Sequence, residues 1–190
     1  PQMDGLPEID VKFATEFNGE GKYLPYKRDK QTLARPWAIP GTPDLEHRLG
    51  GLEKEDVTGN VNYDPDNHQI MTSLRFQKVA NVANDYPPTT VYGDDSGDML
   101  ILTWGSSYGP GRVATERLRK DNLKVSHAHL RYLYPLPIDL GGILKKFKHV
   151  LIPEVNMGQL RTIIRAEYVI DVQGLNLVRG RPIRGSAIVN

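Results

Sequence analysis

The pattern of hydrophobic and polar positions changes near residue 98, after which the chain becomes regular. Short apolar runs, each about the length of a strand, lie at 99–103, 124–130, 149–153 and 169–172. Between them, apolar residues recur at helical spacing over 112–121, 138–147 and 156–168. Strands that alternate with helices of this length predict an α/β fold, with a mostly parallel, Rossmann-like sheet over residues 98–190.

One clear helix precedes this region. Asp64 can accept hydrogen bonds from the free N–H groups at a helix start, and Pro65 suits the first helical position. The pattern predicts a helix over about 65–84 whose apolar face includes Met71 and Val79. It should end before the two prolines at 87 and 88, because residues that precede proline avoid helical backbone angles.

The first 62 residues lack a clear period and carry many turn signals, so they predict an extended, loop-rich segment. Only residues 11–15 have the pattern of a strand. Because long irregular stretches are uncommon inside compact domains, we expect this arm to lie across a partner surface. The predicted organisation is therefore an arm over 1–62, a helix and connection over 63–97, and the α/β domain over 98–190. A chain that begins at Pro1 is expected to be a piece of a longer polypeptide.

Composition excludes several kinds of chemistry. The chain has no cysteine, so it cannot itself form disulfides, thiolate zinc sites or cysteine-ligated iron–sulfur clusters. This composition fits a reducing compartment, and a cytoplasmic location is the expectation. The longest apolar run, 99–104, is far too short to cross a membrane.

Charge is distributed unevenly along the chain. Residues 1–97 carry ten Lys and Arg against sixteen Asp and Glu, whereas residues 98–190 carry fourteen against seven. The basic half could face an acidic protein, a phosphate-bearing ligand or the acidic arm, although a solvated surface is the commoner reason. No block of like charge resembles a nucleic-acid-binding arm, so a nucleic-acid partner is not expected.

Three glycines, Gly105, Gly109 and Gly111, lie in a predicted strand-to-helix turn. Such a turn can present free N–H groups to a phosphate, which would make the chain a stand-alone phosphate- or nucleotide-binding module. The spacing is not that of the dinucleotide fingerprint. Glycines that only allow a helix to pack closely on a strand are the more common case.

Glu154 and Asn156 follow a predicted buried strand, at the sheet edge where α/β proteins build their sites. Glu154 could serve such a site, or it could stabilise the start of the next helix. In the arm, His47 lies beside Arg48 and near two carboxylates. That group could transfer protons, but it lacks a nucleophile, and a structural or interface role is favoured.

Two further groups have weaker signals. His127 and His129 are two residues apart on a predicted strand, so both should point to one face. They could bind a metal, but no third ligand is evident, and structural histidines are far more common. Arg179, Arg181 and Arg184 could bind anionic groups or form an exposed basic end.

Several segments together resemble one family, the 2-oxoacid:ferredoxin oxidoreductase alpha subunits. Arg35-Pro-Trp-Ala-Ile-Pro-Gly-Thr-Pro43 and Leu45-Glu-His-Arg-Leu-Gly-Gly-Leu-Glu53 resemble their linker, in the form most like the 2-oxoglutarate enzymes. The resemblance extends to the domain that follows the linker, over Asp98–Gly109, His129–Pro137 and Pro153–Leu160. Asp44 stands where that linker is expected to have glycine.

The resemblance implies a transketolase C-terminal-type domain from the C-terminal part of an alpha subunit. The whole enzyme would use thiamine diphosphate, magnesium and iron–sulfur clusters to decarboxylate a 2-oxoacid oxidatively. Its partners would be a beta subunit, ferredoxin and coenzyme A, and two copies would pair through the α/β domain. The family's Tyr-Pro-Ile-Thr-Pro motif is absent, so no catalytic, cofactor-binding or metal-binding residue is assigned here. His47, Arg48, Glu154 and Asn156 are expected at interfaces or near the site.

Overall fold

The computed structural model describes residues 10–190, and the chain divides into two compact units. The first unit extends to Val82, and the second comprises Ala83–Asn190. This boundary falls inside the region 63–97 that the sequence analysis treats as a connection. The division of the chain into three parts stays a prediction.

The second unit is built on one five-stranded sheet. Its strands are β1 (Val91–Tyr92), β2 (Gly97–Trp104), β3 (Val125–Leu130), β4 (Phe147–Glu154) and β5 (Val172–Asn176). Their order across the sheet is β1-β3-β2-β4-β5, and only β1 is antiparallel to its neighbour. The expected α/β fold with a mostly parallel sheet is therefore confirmed.

Five α-helices occur in the described part of the chain. They are α1 (Pro65–Asn81), α2 (Tyr108–Lys120), α3 (Leu140–Leu144), α4 (Gln159–Tyr168) and α5 (Gly185–Val189). Within residues 10–190, no helix is long and apolar enough to cross a membrane.

The core of the second unit lies on both faces of the sheet. Successive side chains of a strand point to opposite faces, so Leu100 and Leu102 join one hydrophobic cluster and Ile101 joins the other. The first cluster includes residues of α3 and α4, and the second includes residues of α2 and α5. A strand covered on both faces needs a continuous apolar run, which is why 99–103 was recognisable in the sequence.

Several predicted boundaries were wrong. Helix α2 begins four residues earlier than expected, and the predicted helix over 138–147 is only α3, because Phe147 opens β4. Strand β5 begins at Val172, since Val169 ends α4 in a left-handed conformation (φ 52°).

The first unit is mostly irregular, as predicted, except for α1. The predicted strand over 11–15 is wrong, because only Ala14 forms a single bridge, to Ala38. The predicted start of α1 is confirmed: a carboxylate oxygen of Asp64 accepts N–H groups from Asp66 and Asn67, with Pro65 in the first turn. Only Met71 of this helix is buried, whereas Val79 is half-exposed.

Candidate functional site

A cavity with a polar wall lies beside β1, β3 and α2 of the second unit. Its volume is about 590 Å³, and its walls also include residues of the segments 87–90 and 131–137. The aromatic and positively charged or titratable side chains in this wall include those of Tyr92, Tyr108, Arg112, His127, His129 and Arg131. We refer to this cavity as the β3 cleft.

A threonine hydroxyl holds the two histidines of the β3 cleft. Thr103 Oγ1 lies 2.7 Å from Nε2 of His127 and 2.9 Å from Nδ1 of His129. Thr103 is aligned with His129 across the parallel β2–β3 pair, so its side chain reaches the same face. The prediction that both histidines point to one face is confirmed.

Burial keeps these imidazoles neutral. It lowers the pKa of His127 to about 4, helped by repulsion from the protonated form of His129 and from Arg112. Burial also lowers the pKa of His129, and Arg131 adds to this effect. At neutral pH the rings can therefore donate and accept hydrogen bonds without carrying charge. Among residues 10–190, no group of three His, Cys, Asp or Glu side chains could hold a metal ion.

Gly111 allows α2 to approach this pair of histidines. A Cβ atom at Gly111 would clash with Thr103 Cγ2 and lie 3.1 Å from His127 Nε2, so no side chain fits there without a shift. At Gly105 and Gly109 an added Cβ would meet nothing within 4 Å, although Gly105 has a left-handed backbone (φ 52°). This geometry supports the packing interpretation for Gly111, and a phosphate role for the turn stays a prediction.

The structure brings Glu154 and Asn156 together at the start of α4. Glu154 is 1% exposed, and its two carboxylate oxygens accept the N–H groups of Leu160 (3.0 Å) and Arg161 (3.1 Å). Asn156 Oδ1 accepts the N–H groups of Gly158 and Gln159. Both side chains thus satisfy backbone donors that the helix start leaves free. Their predicted interface role stays a prediction.

His47 and Arg48 lie in the first unit, where both line a cavity of about 450 Å³. His47 Nδ1 is 2.9 Å from the carbonyl oxygen of Leu45, and the ring meets Tyr23 edge-on. The ring is therefore anchored to the backbone and not to a carboxylate. Asp44 adopts a left-handed conformation (φ 65°), which aspartate tolerates better than most residues, so the turn forms without glycine. The interface role of His47 and Arg48 stays a prediction.

The sequence analysis did not single out Thr103, Tyr92, Tyr108 or Arg112. In the sequence, Thr103 ends an apolar run, and a polar residue at the carboxyl end of a buried parallel strand is itself a signal of a site. Tyr92 lies on β1, an edge strand of two residues that is too short for a periodic pattern. Arg112 resembles any other polar residue of an amphipathic helix.

Comparison with known proteins identifies the family. No protein-family model matches the chain. The 2-oxoglutarate oxidoreductase subunit KorA of Mycobacterium tuberculosis is 45% identical over 182 residues, which are 95% of this chain and 27% of KorA. Subunit alpha of the Aeropyrum pernix 2-oxoacid:ferredoxin oxidoreductase 1 is 29% identical over 154 residues, or 77% of this chain and 24% of that subunit. The chain belongs to the 2-oxoacid:ferredoxin oxidoreductase alpha-subunit family.

A solved structure agrees with this membership. The 2-oxoglutarate:ferredoxin oxidoreductase from Magnetococcus marinus, with 2-oxoglutarate, coenzyme A and succinyl-CoA bound, matches with a TM-score of 0.86 and 35% identity. The match covers 100% of this chain and 33% of that one. The resemblance stated from sequence motifs is thereby confirmed. This alpha-subunit chain spans about a quarter to a third of the length of the relatives it matches.

Proposed function

We propose that this chain is part of the alpha subunit of a 2-oxoacid:ferredoxin oxidoreductase that acts on 2-oxoglutarate. The observation that carries the proposal is the 45% identity to KorA over 95% of the chain. The whole enzyme would convert 2-oxoglutarate and coenzyme A to succinyl-CoA and carbon dioxide, and its electrons would pass to ferredoxin. Within it, we assign this chain a structural and assembly role.

The residues present argue that the redox cofactors belong to other parts of the enzyme. The chain has no cysteine to ligate an iron–sulfur cluster, so a cluster would need cysteines from another chain, such as a beta subunit. Thiamine diphosphate supplies the group that stabilises the carbanion during decarboxylation. No residue of this chain is assigned to hold these groups.

Exposed apolar side chains support an assembly role for both units. In the first unit, Trp37 is 64% exposed and Leu49 is 73% exposed, beside an apolar cavity of about 410 Å³. In the second unit, Met157 is 77% exposed in the loop after β4, next to Asn156. Large apolar side chains grouped at a surface mark contacts with other protein surfaces. We infer that the second unit pairs with another copy and that the arm covers neighbouring domains.

The test is to purify the native polypeptide that carries this sequence from its source, together with its bound partners. We expect an intact mass well above 21.4 kDa, a co-purifying cysteine-bearing iron–sulfur subunit, and ferredoxin reduction that requires 2-oxoglutarate and coenzyme A. Pyruvate as the preferred substrate would overturn the assignment of 2-oxoglutarate alone. A native mass near 21.4 kDa without a partner would overturn the whole proposal.

A further inference from the structure

Among the described residues, the wall of the β3 cleft contains two positive side chains and no carboxylate, and Glu116, which lies outside the wall, pairs with one of them. Arg112 and Arg131 both line it, and no Asp or Glu is among the described residues that do so. Its volume of about 590 Å³ lies in the range typical of small-molecule sites. Charge of one sign in a concave site favours a ligand of the opposite charge.

The guanidinium of Arg112 is held in place, but its two terminal nitrogens remain free to donate hydrogen bonds. Its guanidinium carbon lies 3.1 Å from the centre of the Tyr92 ring, and its Nε donates a 2.8 Å hydrogen bond to Glu116. Within the described residues, neither terminal nitrogen has a hydrogen-bond partner. A planar guanidinium with two free NH₂ groups matches the spacing of phosphate oxygens, and fixing its plane beforehand reduces the entropy lost on binding.

The two histidines add neutral hydrogen-bonding groups to the same cleft. Each contacts Thr103 through one ring nitrogen, and in residues 10–190 the other ring nitrogen of each has no hydrogen-bond partner. Tyr108 is half-exposed and packs against both rings, at centroid distances of 5.6 Å and 4.9 Å. The cleft therefore combines a guanidinium, neutral imidazoles and an accessible aromatic ring.

We propose that the β3 cleft binds a small molecule in which a phosphate monoester is joined to a flat ring, such as a nucleoside monophosphate. The phosphate would lie on the terminal nitrogens of Arg112, and the ring would lie against Tyr108. The site is formed by residues of the second unit alone. It is independent of the proposed decarboxylation, so either proposal can fail without the other.

Isothermal titration calorimetry of the 190-residue chain tests the site. The probes are adenosine 5′-monophosphate, adenosine, inorganic phosphate and 2-oxoglutarate. We expect the monophosphate to bind more tightly than either of its parts, and Arg112→Gln to weaken that binding by about tenfold or more. Arg112→Lys keeps the charge but loses the planar pair of donors, so we expect an intermediate loss.

Arg117→Gln is the matched control, because Arg117 is an exposed arginine of the same helix that does not line the cleft. We expect it to leave the affinity within about twofold. Circular dichroism of each variant shows whether the fold is kept, and Arg112→Lys serves as the test if Arg112→Gln does not fold. The proposal is overturned if the monophosphate gives no heat at millimolar concentration, or if the two glutamine variants lose affinity equally. It is also overturned if 2-oxoglutarate, inorganic phosphate or adenosine binds as tightly as the monophosphate.

Discussion

At the scale of single residues, space and hydrogen bonding decide which of the candidate side chains have a visible role. Gly111 and Gly109 are two positions apart in α2, yet only Gly111 faces a wall formed by Thr103 and His127. Both carboxylate oxygens of Glu154 accept backbone N–H groups. Neither the residue type nor its position in the sequence reveals these hydrogen bonds. Sequence spacing alone treated these glycines as equivalent.

The two glycines provide a paired mutational test. We expect Gly111→Ala to lower the free energy of unfolding by roughly 1–3 kcal/mol, because its Cβ would clash with the Thr103 methyl group. Gly109→Ala adds a Cβ in open space and favours the helix, so it should be neutral or stabilising by up to about 1 kcal/mol. Urea unfolding of both variants measures the difference. Equal effects would show that α2 does not depend on the close approach at Gly111.

At the scale of elements, the three central strands, β2, β3 and β4, were predicted more closely than the helices that cover them. The run 100–103 is buried on both faces, so its apolar residues alone indicated a central strand. The helices lie on the surface of the sheet, and their inward faces depend on rotation and length. Val113 and Ile163 are apolar residues of α2 and α4, yet they are 42% and 51% exposed. The end of α3 was misplaced because Phe147 suits a helix face and a strand equally well.

The start of α4 depends on one buried carboxylate. We expect Glu154→Ala to lower the free energy of unfolding by about 2–4 kcal/mol, because it leaves two backbone N–H groups without their acceptor. Glu154→Gln should cost less, since its amide oxygen can still accept one of them. The measurement is urea unfolding combined with hydrogen exchange at Leu160 and Arg161.

Glu167→Ala is the control for this test, because Glu167 is an exposed glutamate near the other end of α4. Its effect should stay within about 0.5 kcal/mol. If Glu154→Ala is no more destabilising than Glu167→Ala, the carboxylate does not hold the helix start.

At the scale of the whole molecule, burying a histidine links the stability of the fold to pH. The pKa of His127 is about 4 in the folded chain, against an ordinary value of 6.5. Below pH 6.5 the unfolded chain takes up a proton here that the folded chain does not, so stability falls as the pH drops from about 6.5 towards 4. Above pH 7 this residue should have almost no effect on the pH dependence.

Urea unfolding at pH 7 and pH 5 measures this linkage. We expect the His127 contribution to fall by roughly 1–2 kcal/mol between the two values, and His127→Gln to remove that part of the pH dependence. His149→Gln replaces an exposed histidine, so this variant should keep the pH dependence of the unchanged chain. The same pH dependence in His127→Gln and the unchanged chain would show that the ring is not kept neutral by the fold.

The sequence by itself determined the fold class, the position of the central strands, the start of α1 and the family. These features depend on local apolar runs, on helix-start residues such as Asp64, and on motifs spread over the chain. Only the tertiary structure decided that Thr103, His127, His129 and Arg112 share one cleft, and that Glu154 holds α4. Those side chains come from different elements, and their contacts depend on strand order and register. The pattern of apolar residues along the chain does not contain strand order or register, because it only shows which face of each element is buried.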